Sequence, residues 1–217
     1  MKITKLAIAG ALLAAQVMPV VAQPGGQGDQ DTSMSFFITS RGPGDGANLG
    51  GLAGADAHCA ALAEAAGTRG KTWRAYLSTT GASGVFARDR IGSGPWYNAN
   101  GELVGRSVMD IHYSNANLNK QRSVTENGDT VNGVGDSPNM HDILTGTNAD
   151  GTASDMTCNN WTSNTDQSRA MVGHFDRIGG GAMAESWNAA HPSRGCSQEQ
   201  LQASGGNGFF YCFATGE

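Results

Sequence analysis

The chain is short of charge. Only 15% of its 217 residues are charged and 7% aromatic, and the formal net charge is −5. No block of lysine and arginine occurs anywhere, so nucleic acid and anionic membrane are excluded as partners, because both need a positive face. No apolar run reaches the length of a membrane span. The sequence has no GxSxG elbow and no HExxH pair, and no Gly-Lys-Ser/Thr directly follows its glycine-rich Arg41–Gly51 loop. That loop is read as a tight entry into a helix, not a phosphate cradle. Without a catalytic motif the chain is read as a non-enzyme. The trial set His174, Asp176, His191 and Ser193 or Ser197 rests on co-occurrence alone. The five histidines are scattered with no close zinc-ligand spacing, so no zinc site is expected.

What is present begins with a targeting pattern. Lys2 and Lys5 precede an apolar run, Leu6 to Ala15, and Val20-Val21-Ala22 offers a small-residue cleavage site. Residues 1–22 are therefore expected to be a signal peptide, 23–33 a glycine-rich polar linker, and 34–217 one folded domain. Removing Lys2 and Lys5 leaves 12 basic against 19 acidic residues, a net charge of −7. The predicted location is secreted or periplasmic, with no transmembrane segment after signal removal. Four cysteines in an exported chain suit two disulfides, with three possible pairings.

The organising stretch is Gly54 to Ser78. Ala55, Cys59, Leu62, Ala63 and Ala66 fall at helical spacing, and Gly67 supplies the stop. Thr72 to Ser78 then alternates, with Trp73, Ala75 and Leu77 on one side. Cys59 needs a partner, and its late candidates are Cys196 and Cys212. Strands are predicted at 34–40, 142–145, 157–162, 169–175 and 209–214. Hairpins are predicted at 94–105 and 123–131, and short helices at 84–91 and 106–113. Residues 179–208 are read as a loop. The class is α+β with long loops.

Several blocks resemble endostatin and its bacterial relatives in the C-type lectin-like superfamily: GADAHCAALAEAAG with TWRAYLST, DRIGSGPWYNANGELV, LTGTNADGT with TCNNWTS, and Gly195-Cys196 with FFYCFA. The resemblance spans Met34 to Thr215 in order. It implies a C-type lectin-like (endostatin-like) fold, one main helix and short helices on short antiparallel sheets, with two nested disulfides, Cys59–Cys212 and Cys158–Cys196. It also implies a binding module without catalysis.

The superfamily's calcium and sugar triplets are missing, and Cys158-Asn159-Asn160-Trp161 reverses one of them. Asn148, Asp150 and Asp155 are the calcium candidates, against a plain turn with surface acids; otherwise no cofactor is expected. The heparin and N-terminal zinc binding of endostatin do not carry over, since the equivalent segment has no histidine and the mature charge is negative. For a ligand, the loop Ser186–Gly195 gathers Trp187, Asn188, His191 and Arg194. An aromatic face to stack on a pyranose beside amide and guanidinium groups is a sugar-binding palette. The competing reading makes Trp187 and Asn188 loop packing. Trp96, Tyr97 and Asn98 form a second candidate group, and Asn160-Trp161-Thr162 matches a glycosylation sequon. The expected ligand is a carbohydrate at a cell surface or in the matrix; the alternative is a protein-binding or adhesion module with no sugar site.

Overall fold

The last strand, β8 (Gly206–Thr215), is the axis of the domain. The computed structural model describes Lys2 and residues 31–114, 117–181 and 183–215; the signal peptide and nearly all of the linker lie outside them. Thr32–Glu217 form one compact unit. β1 (Phe36–Ile38) and β2 (Thr72–Ala75) both pair antiparallel with the C-terminal half of β8. β5 (Asp142–Leu144) pairs in parallel with its N-terminal half. β6 (Met171–His174) and β7 (His191–Pro192) continue the sheet outward from β5 in antiparallel order. β3 (Trp96–Tyr97) and β4 (Leu103–Gly105) form the separate expected hairpin.

Successive β8 side chains point to opposite faces of the sheet, and each face meets its own core. Phe210, Cys212 and Ala214 pack with Trp73, Leu77 and the helix residues Ala55, Leu62 and Ala63. Phe209, Tyr211 and Phe213 pack instead with Tyr76, Trp96, Phe175 and Trp187. An aromatic strand covered on both sides is why FFYCFA carries no polar alternation.

The helix, α1, runs Gly51–Ala65, three residues earlier than the apolar spacing suggests, and buries Ala55, Cys59, Leu62 and Ala63. It ends on a left-handed Gly67, whose N–H bonds the Glu64 carbonyl. Cys59 is bridged to Cys212 and Cys158 to Cys196, the nested pairing. The first bridge ties α1 to β8 inside one core.

Four local expectations are corrected. Cys158–Trp161 is not a strand but a single left-handed turn, with φ of 48°, 54°, 54° and 69°. Asparagine tolerates that region better than most residues. The turn is pinned by the Cys158 bridge, by Asn160 against the Thr80 backbone, and by the Trp161 indole donating to the Ser78 carbonyl at 2.8 Å. The region 179–208 is not all loop: it holds β7 and a short helix, Gln198–Ser204, capped by the Ser197 hydroxyl and stopped by a left-handed Gly205. That helix buries only Leu201, so no apolar period announced it. The predicted hairpin at 123–131 reduces to one bridge, Val124 to Thr130. The short helices shrink to a 3-10 turn, Ala87–Asp89, and a π-helical turn, Asp110–Ser114. Among the described residues no helix is long and apolar enough to cross a membrane.

Candidate functional site

The loop residues expected to hold a sugar do not share a surface. Trp187 is 2% exposed. Its ring lies 4.7 Å from that of Tyr76 and 5.2 Å from that of Tyr211, and its indole N–H donates to the Ile111 carbonyl at 2.9 Å. Asn188 is 1% exposed. Its amide nitrogen donates to the Tyr76 hydroxyl and the carbonyls of Asn148 and Ala149, and its own carbonyls accept from Ser186, Thr145 and Thr147. Both are packing residues, and neither presents a face or a free polar group to a pyranose. Arg194 faces solvent, while His191 turns toward Asp142.

The other candidates are similarly placed. Trp96, Tyr97 and Asn98 are buried. The Asp150 carboxylate accepts from the Thr152 N–H and hydroxyl and faces Arg88, while the Asn148 amide donates within the same turn. The Thr152 bonds hold the Asp150 pKa below the usual carboxylate value. Asp155 is exposed. Asn160 of the sequon has both side-chain polar atoms engaged with the Thr80 backbone. Ser193 donates to the Gly195 carbonyl and Ser197 caps a helix, so neither serine serves the trial catalytic set.

The sheet register assembles a different group. Asp142 on β5 lies directly opposite His174 on β6. His191 on β7 pairs with Val172, two residues before His174, so His174 and His191 share a face. His141 precedes β5, and its ring stacks on that of His174 with centroids 4.2 Å apart. The result is three imidazole Nε2 atoms around one carboxylate oxygen. Asp142 Oδ1 is 3.3 Å from His141, 3.3 Å from His174 and 3.5 Å from His191. The side chains of Asp142, His174 and His141 are buried, at 2%, 3% and 8% exposed, while that of His191 is 37% exposed and forms the side open to solvent.

Each imidazole is held from behind. Nδ1 of His141 faces Asp176 Oδ1 at 3.2 Å, Nδ1 of His174 faces the Ala184 carbonyl at 2.7 Å, and Nδ1 of His191 faces the Pro192 carbonyl at 3.0 Å. Asp176 in turn accepts from the backbone N–H groups of Val134 and Ile178, which ties two loops to His141. Burial alone would raise the Asp142 and Asp176 pKa values, but the surrounding imidazoles, and for Asp176 those N–H groups, outweigh it and hold both carboxyls low. The Asp142 carboxylate pushes the His191 pKa up. Two glycines allow the close packing: a Cβ at Gly179 would meet His174 Cε1 at 2.7 Å, and one at Gly206 would meet the Asp142 carbonyl oxygen at 2.7 Å.

Among the described residues, His141, Asp142 and His174 are the group whose donor atoms lie close enough together to hold a metal ion, with His191 beside them. Linear spacing hid them, because β5, β6 and β7 are brought together only by the sheet. Comparison with protein-family models and with curated protein sequences returns no match.

Proposed function

We propose that this chain is an exported, non-catalytic binding module of the C-type lectin-like, endostatin-like kind, and that it recognises a protein surface. Two internal disulfides support an oxidising compartment. The nested pairing, the α+β architecture and the long loops support the family reading.

The observation that carries the protein-recognition reading is the rim of the 177–186 loop. Ile178 is 48% and Met183 45% exposed, and both line a shallow groove of about 560 Å3 with Arg177, Glu185 and Ser186. Methionine and arginine are enriched in protein interfaces, and methionine adapts its shape to a partner. The stacking ring that a sugar site requires is, at the Ser186–Gly195 loop, committed to the core.

The test is a glycan array probed with the oxidised mature domain, in calcium and in chelator, beside capture from the host's own surface proteins. The expected result is no glycan retained, and a captured protein lost on Met183→Glu. A glycan bound equally by wild type and Met183→Glu would overturn the protein reading in favour of a lectin.

A further inference from the structure

Neutral imidazoles cannot satisfy the His–Asp cluster. Each Nδ1 faces a carbonyl or carboxylate oxygen, so each Nδ1 carries the ring hydrogen. In the neutral imidazole that leaves a bare lone pair on every Nε2. Three lone pairs then face Asp142 Oδ1, and four acceptors converge with no donor among them. Both Asp142 oxygens and His174 Nε2 are buried without any hydrogen-bond partner. Native proteins rarely leave buried polar atoms in that state, and a cation is one of the accepted explanations.

A proton on Nε2 of the half-exposed His191 gives Oδ1 one donor and leaves the buried Nε2 atoms of His141 and His174 facing it bare; supplying a donor from each ring means protonating every Nε2. That would bury three imidazolium charges around one carboxylate, with Asp176 behind only one of them. Charge-assisted N–H···O bonds also close to about 2.7–2.9 Å, and the three distances here are 3.3, 3.3 and 3.5 Å. They are too long for that bond. They are instead close to the length of the three edges that meet at one corner of a tetrahedron, about 3.3–3.4 Å each when metal–ligand bonds are about 2.05 Å. The donor atoms of His141, Asp142 and His174 all lie within 4.8 Å of one another; His191 Nε2, 3.5 Å from Asp142 Oδ1, stands outside that compact group and closes in as the fourth ligand when the ion enters.

We propose that His141, Asp142, His174 and His191 bind one zinc ion in a closed, tetrahedral three-histidine, one-carboxylate site. Three imidazoles select a borderline metal over calcium or magnesium, which want oxygen ligands. Four protein ligands leave no open position, which is the arrangement of a structural zinc. The outer shell is in place: Asp176 and the carbonyls of Ala184 and Pro192 fix each ring with Nε2 inward. The half-exposed His191 provides the entry side. The ion would cross-link β5, β6 and β7 and, through Asp176 and Ala184, the loops at 133–136 and 176–186. The site stands independently of the protein-recognition reading.

The experiment uses the mature, oxidised protein, stripped with chelator and titrated with Zn2+ by calorimetry, with metal content measured after dialysis and Co2+ as a spectroscopic stand-in. The expected result is one Zn2+ per chain and the intense visible bands of tetrahedral Co2+. His191→Gln, at the accessible corner, should weaken binding at least tenfold, since even outer-shell losses cost about 10–100-fold in such sites. Asp142→Asn should abolish the tetrahedral cobalt spectrum. His58→Gln, on α1 with its ring against the Arg41 carbonyl and Phe210, serves as the control and should leave binding unchanged. No stoichiometric Zn2+ in the wild type would overturn the assignment. So would a folded His191→Gln protein, by far-ultraviolet circular dichroism, that binds zinc as tightly as wild type.

Discussion

Replacing Trp187 by alanine removes the largest side chain linking the loop region to the aromatic face of β8. The ring is 2% exposed and sits between Tyr76 and Tyr211. Truncating a buried tryptophan costs about 3–5 kcal/mol, combining lost transfer energy with the cavity left behind. The substitution also strands the Ile111 carbonyl that the indole N–H satisfies at 2.9 Å; leaving a buried acceptor unpaired costs about 1–3 kcal/mol. The two overlap, so the upper half of the 3–5 kcal/mol range is the expected total. That is a large share of the 5–15 kcal/mol that holds a typical domain together. Trp187→Phe separates the contributions, since it keeps an aromatic ring and loses the N–H, and should cost less than half as much. The assay is urea unfolding followed by circular dichroism, reading the midpoint at constant m-value. A ligand-stacking tryptophan behaves in the opposite way: its removal leaves the midpoint in place and abolishes binding. An unchanged midpoint in Trp187→Ala would therefore refute the core assignment and restore the sugar-stacking reading.

The two disulfides should contribute unequally. In the chain-entropy model the Cys59–Cys212 bridge, with a separation of 153 residues, stabilises by about 5 kcal/mol, and the Cys158–Cys196 bridge, with a separation of 38, by about 4 kcal/mol. Paired Cys→Ala variants compared by urea unfolding check the order, and a larger loss from the 38-residue bridge would contradict it. His112 predicts an acid weakness. Burial lowers its pKa in the fold, against the Val108 carbonyl bond that favours the charged form, and its Nε2 accepts from the Tyr76 hydroxyl at 2.6 Å. Below about pH 6.5 the unfolded chain binds a proton that the folded chain resists, so this part of the stability is present above that pH and lost as pH falls toward the folded value. In chelator, wild type should lose more stability than His112→Gln between pH 7 and pH 5.5, and equal losses would refute the argument.

What the residues disclosed and what they concealed divide along physical lines. Cys59 on an apolar helix face, Gly67 as its stop and the alternation of Trp73, Ala75 and Leu77 are local patterns, and the structure keeps all three. The left-handed turn at Cys158–Trp161 is a tertiary product. Nothing in TCNNWT prefers four consecutive positive φ values; the bridge, Asn160 and Trp161 impose them together. The helix Gln198–Ser204 was within reach, since Ser197 with Gln200 and then Gly205 are start and stop signals. Its single buried leucine left no period to find. Trp187 misled for a related reason. A tryptophan in a segment without periodicity looks free, yet Tyr76, which receives it, lies more than a hundred positions away.

The histidine cluster lies at the far end of that scale, and its position suggests why it is needed. The inner part of the sheet is held by the ten residues of β8, by two flanking strands and by the Cys59–Cys212 bridge. The outer part is β5, β6 and β7, with three, four and two residues. Strands that short make few ladder hydrogen bonds, and isolated pairs of them are marginal in water. Asp142, His174 and His191 come one from each of these strands and meet on one face, where a single ion would join all three. His141 carries the link through Asp176 into the Val134 and Ile178 backbone. Ile178 is also one of the two apolar side chains on the exposed rim. A zinc ion there would stabilise the outer sheet and, by the same bonds, hold the recognition loop in one shape. Preorganising that loop lowers the ordering cost a partner would otherwise meet on binding.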